Sequence, residues 1–447
     1  MDLVGQNIAN QNTAGYTRQR VETSALGAAG VNSRFSVGAR PGEGVSIDGI
    51  ARLGDAVLDS RVRDALGASG FWTAKAAAAA TAEEALAEPS IDGLSNKLSK
   101  FWAGWQDLSN SPDSVAAASA ALTSAQTITA QIADGYRAVT NQWSDARASV
   151  DQKVSSVNAA ADQIAALNGA IRDSINSGGT PNELIDRRNL LAQNVARLTG
   201  ATGKVETDGT LTLRVDGNPL VAGSQAKHLT VTGPQSIEAG APTTIAWENG
   251  TPAVITNGEL GGTLAVIAPA ADGGVLAGLA KTYNDLAEAL ADKVNTVHRS
   301  GVTADGDPGG DFFAIAPGGP AALNLSVVPT GRDQLALAAP GAGSLDGSIA
   351  DAIAGIGDLK DGPDALWNGG VASLAVSTAA DKSRATAAEA GAVAATSAQL
   401  SVAGVDGDEE ALNLLTHQTA YNAAARVLTA IDEALDILIN RTGLVGR

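Results

Sequence analysis

One apolar seam constrains this chain more than any other feature. After Ser111-Pro112-Asp113, the residues Ile132, Tyr136, Val139, Trp143, Ala146, Val150, Val154, Val157, Ala161, Ile164, Asn168, Ile171 and Ile175 recur at spacings of three and four. Ser177-Gly178-Gly179 then ends the run. Apolar residues at that period mark one face of an α-helix, and a proline suits its first turn. At about 1.5 Å of rise per residue the helix spans roughly 90 Å. A helix that long needs neighbours along its length, so the seam predicts a bundle or coiled coil.

Shorter segments surround it. Residues 3–10 read as the tail of a helix closed by Asn12-Thr13-Ala14-Gly15, a run of turn formers. Residues 18–21 read as extended, and a Gly-rich loop with weak strand signals at 45–47 runs on to about residue 50. Helical character follows at 55–66, 71–87 and 94–108, the last with a stripe of Leu94, Leu98, Phe101, Trp102, Trp105 and Leu108. Beyond the long helix, 181–198 turns back antiparallel.

The period then changes from 3.6 to 2. Residues 204–207 and 210–215 flank Asp208-Gly209, a favoured hairpin turn, and more strands are predicted at 229–232, 243–247 and 253–256. Gly258-Glu259-Leu260-Gly261-Gly262 closes this stretch, which reads as an insertion that could be removed without unfolding the helices. A helix at 276–299, a Gly/Pro/Asp loop at 301–310, Phe312-Phe313 and strands at 323–328 and 334–338 come next. The last hundred residues are Ala-rich helix broken at 404–407. The final helix carries the seam Leu414, His417, Tyr421, Ala424, Leu428, Ile431, Leu435 and Leu438, flanked by Leu415, Val427 and Ile439. That pattern demands a partner helix.

The fold expected is mainly α with an inserted β domain (α+β): an elongated, discontinuous helical bundle with terminal coiled-coil-forming helices. Its parts are terminal segments 1–20 and 400–447, a helical rod of 21–199 and 258–399 with β elements within 312–340, and a β domain at 200–257.

Composition narrows the function. With 30 Lys+Arg against 48 Asp+Glu the net charge is −18, which repels phosphate backbones and anionic lipid headgroups. Nucleic acid and membrane insertion are therefore not expected as partners, and no apolar run approaches the roughly 18 residues that span a bilayer. Met1 to Gln11 lack the basic and apolar regions of a secretory signal. Cysteine is absent, which removes disulfides and thiolate metal sites. At 3% aromatic residues, a large ligand-enclosing core is not expected.

Catalytic constellations are missing as well. The three histidines, His228, His298 and His417, are far apart and read as structural, and there is no HExxH, G-x-S-x-G or P-loop. Asp305-Gly306-Asp307-Pro308-Gly309-Gly310-Asp311 alternates carboxylates as a calcium loop does, but Gly309 stands where a third ligand belongs. It reads as a tight turn, and Trp102/Trp105 read as core. No cofactor, no metal and no enzyme activity are expected.

Two segments carry a resemblance. Asn7-Ile8-Ala9-Asn10-Gln11-Asn12-Thr13-Ala14-Gly15-Tyr16 resembles the N-terminal signature of flagellar rod, hook and hook-associated proteins, and Thr17-Arg18-Gln19-Arg20-Val21 resembles the hook-associated protein FlgK family in particular. Ser401 to Ala411, with Val405-Asp406-Gly407-Asp408-Glu409-Glu410 at its centre, resembles that family's motif before its last helix, as do Gln418, Ala420, Tyr421 and Ala-Ala-Arg-Val ending at Val427. Ser177 to Arg188 is a third match. Two positions depart from the family: the chain opens almost inside the first motif, where a late start or a trimmed N-terminus is expected, and Gly407 replaces a larger apolar residue.

The resemblance implies a non-enzymatic structural protein that joins hook to filament, secreted through the flagellar type III apparatus without a cleaved signal. It implies that the terminal helices pair in an inner tube, with the helical domain around it and the β domain outward. The assembly interface implied comprises Asn7, Ile8, Asn10, Asn12, Gly15, Tyr16, Arg18, Gln19, Val405, Glu409, Glu410, Leu414, Tyr421, Leu428, Ile431, Leu435 and Leu438. Implied partners are further copies in a ring, the hook protein, the second hook-associated junction protein and a cytosolic export chaperone. Another axial protein (hook or rod), or an adhesin-like module carried by the β insertion, stands as the alternative.

Overall fold

The computed structural model describes residues 1–26 and 44–440. Part of the expected Gly-rich loop and the last seven residues of the terminal segment lie outside the described residues. The chain opens with α1 (Asp2–Ala9) and an antiparallel ribbon of β1 (Gln19–Ala25) and β2 (Val45–Arg52). A bundle follows: α2 (Ala56–Leu86), α3 (Leu94–Asn110), α4 (Val115–Asn176) and α5 (Asn182–Thr199).

The long seam forms α4, 62 residues in one helix, begun by Ser114, whose side chain accepts from Ala117 N at 3.2 Å. Its buried face runs from Ala118 through Ile132, Trp143 and Val157 to Ile171, as the period required, while Ile175, the last residue of the expected seam, is exposed on the final turn. Helix α2 corrects the sequence reading. The two helices expected at 55–66 and 71–87 are one helix of 31 residues that runs through Gly67 and Gly70. These glycines are contact points, not breakers. A Cβ on Gly70 would stand 2.4 Å from Arg197 O, and one on Gly262 would stand 2.4 Å from Phe71 O. Gly258–Gly262, expected as a link, is the first turn of α6 (Gly258–Ile267), which lies against α2 for the same reason.

The β insertion forms two small antiparallel sheets. The first orders β3 (Thr202–Val205), β4 (Leu211–Val215), β5 (Asn218–Ala222) and β6 (Gln225–Ala226); the second orders β7 (Leu229–Thr232), β8 (Thr244–Trp247) and β9 (Pro252–Ala253). β5 and β6 were not foreseen. The first hairpin also differs from expectation. Glu206 N donates to Thr210 O at 2.8 Å, so its loop is the three residues Thr207-Asp208-Gly209, with Gly209 at φ 81°.

The insertion shares the core of the rod. Leu211, Leu213 and Val221 are fully buried in one apolar cluster with Val157, Ile164 and other α4 residues. Two asparagines of α4 act as substitute strands. Asn168 accepts from Leu211 N and donates to Leu211 O, both at 2.9 Å, and donates to Gly223 O at 2.8 Å. Asn158 pairs with Leu229 N and O in the same way, at 2.8 and 2.9 Å.

After α7 (Val275–His298) come β10 (Phe313–Ile315), α8 (Ala321–Asn324) and β11 (Leu325–Val327), then α9 (Ser348–Ala354), α10 (Pro363–Ala403) and α11 (Gly407–Asn440). Of the strand expected at 334–338, Gln334 is the exposed end of a 3-10 turn (Arg332–Gln334), and 335–338 is buried irregular chain with one bridge, Ala338 to Val302. Phe312 and Phe313 join Phe101, Trp105 and His298 in an aromatic knot. Helix α10 returns along α2, tied by Lys75–Asp381 at 3.3 Å and Ser69–Glu389 at 2.6 Å. The fold is mainly α with an inserted β part, and the helical rod is built from both halves of the chain.

Candidate assembly site

The two terminal segments that carried the resemblance and the third match, Ser177 to Arg188, meet at one end of the rod. Asn7, buried on α1, uses both ends of its amide. Its Oδ1 accepts from Tyr16 Oη at 2.8 Å and from Gln19 N at 3.1 Å. Its Nδ2 donates to Gln19 O at 2.9 Å and to Glu410 Oε2 at 3.3 Å. An apolar residue here would leave four groups without this partner. Gly15 makes the turn between them at φ 80°, closed against Leu190.

Arg18 spans the break between α10 and α11. Its backbone N donates to Ala403 O at 2.8 Å, the end of α10. Its Nε donates to Glu410 Oε1 at 2.7 Å, and its two terminal nitrogens meet Glu409 at 2.9 and 2.8 Å. The fork matches two carboxylates on the first turn of α11. Glu409 raises the Arg18 pKa above its ordinary range, and Arg18 holds the Glu409 carboxyl below its own. Burial raises the Tyr16 phenol.

The bend before α5 completes the knot. Asn182 donates to Gln19 Oε1 at 3.2 Å and to Ile50 O at 2.9 Å. Asp186 accepts from Thr17 N at 3.0 Å and from Arg52 Nε at 2.5 Å. Gln399 of α10 and Asn189 of α5 both donate to Asp59 of α2, at 2.5 and 3.1 Å. Sequence reasoning singled out the motif residues but missed Arg52, Asn182 and Asp186 as their partners, and missed Asp59 and Gln399, which bond each other beside them. Asn182 and Asp186 lie inside the third matching segment, which is the signal that could have found them.

The expected interface residues therefore fall into two groups. Asn7, Tyr16, Arg18, Gln19, Glu409 and Glu410 make hydrogen bonds within the chain. Asn10 caps the end of α1 through Gln6 O at 3.0 Å, Val405 is half-buried in the break, and Ile8 and Asn12 are exposed. Along α11, Leu414 is half-buried, while Tyr421, Leu428, Ile431, Leu435 and Leu438 are 47–66% exposed. Among the described residues of α11 only Glu410 is buried.

Each candidate chemical position has a defined place in the fold. His298 is fully buried, donating from Nδ1 to Gly310 O at 2.7 Å and accepting Ala336 N at Nε2 at 3.0 Å. His228 bridges Asp162 and Glu248, and His417 is exposed on α11. In the acidic loop Gly306 turns at φ 86°, Thr303 N donates to Asp307 O at 2.9 Å, and Asp311 pairs with Arg299. Trp102 is buried and donates to Asp364 Oδ2 at 2.6 Å, and Trp105 is fully buried. Among the described residues no group of three or more His, Asp or Glu is placed to hold a metal, and no helix is long and apolar enough to cross a membrane.

Comparison with known proteins identifies the family. A family profile described as the flagellar hook-associated protein FlgK helical domain matches residues 79–313, just over half of the chain. A second, the flagellar basal body rod FlgEFG protein C-terminal, matches residues 397–441. Flagellar hook-associated protein 1 of Bacillus subtilis is 27% identical, over 100% of this chain and 96% of that protein. Flagellar hook-associated protein 1 of Escherichia coli is 30% identical over 72% of this chain and 58% of that protein. The solved flagellar hook junction protein FlgK from Burkholderia pseudomallei shares the fold, with a TM-score of 0.66 at 14% identity, over 77% of this chain and 100% of that one. By these matches, which extend through the long helix to both ends of the knot, the chain belongs to the flagellar hook-associated protein FlgK family.

Proposed function

We propose that this protein is a self-assembling structural adaptor of the bacterial flagellum that joins hook to filament and works by contact, without catalysis. The observation that carries the reading is α11. The knot fixes its first turn through Arg18 and Glu410, and the heptad seam then leaves the body of the protein facing outward. An apolar stripe at coiled-coil spacing is stable only against another helix. The knot is thus a mount, and the seam is the surface offered to neighbours. On this reading the neighbours are further copies in a ring, the hook protein and the second hook-associated junction protein, with an export chaperone covering the seam before secretion. Arg18, Asn7 and Glu410 act by aiming α11, and Leu428, Ile431 and Leu435 by docking.

A strain lacking the gene should make hooks without filaments, and the wild-type gene should restore filaments. A gene carrying Leu428→Asp and Leu435→Asp should be exported yet fail to restore them. Filaments in the null strain, or full rescue by the double variant, would overturn the reading.

A further inference from the structure

We propose that Asn249-Gly250, at the tip of the β8–β9 hairpin, is a self-modification site. There Asn249 loses its amide to become aspartate or isoaspartate. Asparagine is a thermolabile residue, and glycine after it leaves the attacking nitrogen unhindered. The sequence holds four Asn-Gly pairs: Asn168-Gly169, Asn249-Gly250, Asn257-Gly258 and Asn368-Gly369. The structure separates them.

Asn168 is fully buried in α4 with both amide atoms bonded to the β4 and β5 region. Asn368 lies inside α10, where helical dihedrals hold the next nitrogen away from the side-chain carbon, and its Oδ1 accepts from Ser95. At Asn257 the attacking nitrogen is bonded to the amide oxygen itself, at 3.0 Å. Gly258 is also packed, since a Cβ there would stand 2.5 Å from Thr199 N. Asn249, Gly250 and Thr251 are all exposed and outside helix. Thr251 N donates to Asn249 Oδ1 at 3.0 Å. A backbone N–H on that oxygen stabilises the negative charge that forms when the carbon is attacked. Gly250 N donates to Trp247 O at 2.8 Å, so the step awaits fraying of this exposed turn.

The chemistry needs only water. Gly250 N bonds to Asn249 Cγ, the Cγ–Nδ2 bond breaks, and ammonia leaves carrying the proton from Gly250 N. Water then opens the imide at either carbonyl, giving aspartate or isoaspartate. The chain passes from −18 to −19. Isoaspartate also adds one backbone carbon to the loop, so the bonds from Trp247 N to Thr251 O and from Gly250 N to Trp247 O cannot both close. The charge appears beside Glu248, which lies 3.8 Å from His228 at the joint between insertion and α4.

The full chain is incubated at pH 8 and 37 °C, digested and mapped by mass for a gain of about one dalton, with isoaspartyl methyltransferase labelling as a second readout. A portion held in urea exposes all four pairs alike. The folded protein should label at Asn249 at least tenfold faster than at the other three, while the urea sample labels all four. Asn249→Gln, which must close a larger ring, should abolish that label. Earlier labelling at Asn168, Asn257 or Asn368 in the folded protein would overturn the proposal. So would an unlabelled Asn249 in folded protein whose urea sample is labelled there.

Discussion

Arg18 and Glu410, 392 positions apart in sequence, are joined by a 2.7 Å hydrogen bond from Nε to Oε1. Glu410 is 2% exposed, so the carboxylate relies on Arg18 and Asn7. Replacing Arg18 by Ala leaves that charge buried with one amide. The cost should be about 2–3 kcal/mol, below the value for a wholly buried pair because Arg18 retains some solvent contact. Hydrogen exchange should quicken across residues 407–414 while the α4 core is unchanged. Glu410→Gln should do less, since an amide can still accept from Arg18.

Buried His298 makes the fold sensitive to acid. Burial, the largest cause, lowers its pKa from the ordinary 6.5, while the bond to Gly310 O and nearby Asp311 oppose the shift. The neutral ring is the stabilised form, so its contribution is complete above about pH 6.5. It is lost as pH falls through the lower folded value. Protonation would turn Nε2 from acceptor to donor against Ala336 N–H. Thermal melts from pH 7 to 4 should show a fall in melting temperature that is reduced in His298→Gln.

The close crossing of α2 and α6 should reject a methyl group. Gly262→Ala puts Cβ 2.4 Å from Phe71 O, a backbone atom that cannot turn aside. Forced separation of packed helices costs about 1–3 kcal/mol or more. A melting temperature equal to wild type would show that the crossing can open freely.

Removing residues 201–257 should destabilise the rod, contrary to what the change of period suggests. Asn168 and Val157 would lose the strands that cover them. Asn168→Leu tests the same joint in one residue, leaving Leu211 N, Leu211 O and Gly223 O unpaired for roughly 3 kcal/mol. Urea titration of both variants reads the loss.

The exposed seam should be neutral in the monomer. Leu428→Asp lies on a surface 66% exposed, so stability should change by less than about 0.5 kcal/mol. Amides from Thr429 onward should exchange quickly in dilute protein and slow when subunits associate. Strong protection there at every dilution would mean the seam is already covered.

How much of this was legible depends on the range of the interaction. The seam from Ile132 to Ile175 and the stripe from Leu414 to Leu438 repeat locally, and α4 and α11 follow them directly. Gly67, Gly70, Gly261 and Gly262 misled, because a glycine in sequence does not say whether it frees the backbone or admits a neighbour. The knot was half legible: its segments stood out as motifs, but no spacing reveals that Asp186 meets Thr17 and Arg52. Asn168 stood in the apolar seam and Asn158 just off it, but neither position says that a strand lies beside it.

The span between Arg18 and Glu410 also sets an order of events. Closing a loop of 392 residues in an unfolded chain costs about 3 kcal/mol more entropy than closing a dozen. Local helices and the β hairpins carry no such burden and form earlier. Because synthesis runs from the N-terminus, Arg18 is made well before Glu409 and Glu410, the carboxylates that it bonds. Until the last helix leaves the ribosome, the Arg18 guanidinium has no carboxylate of α11 to close upon.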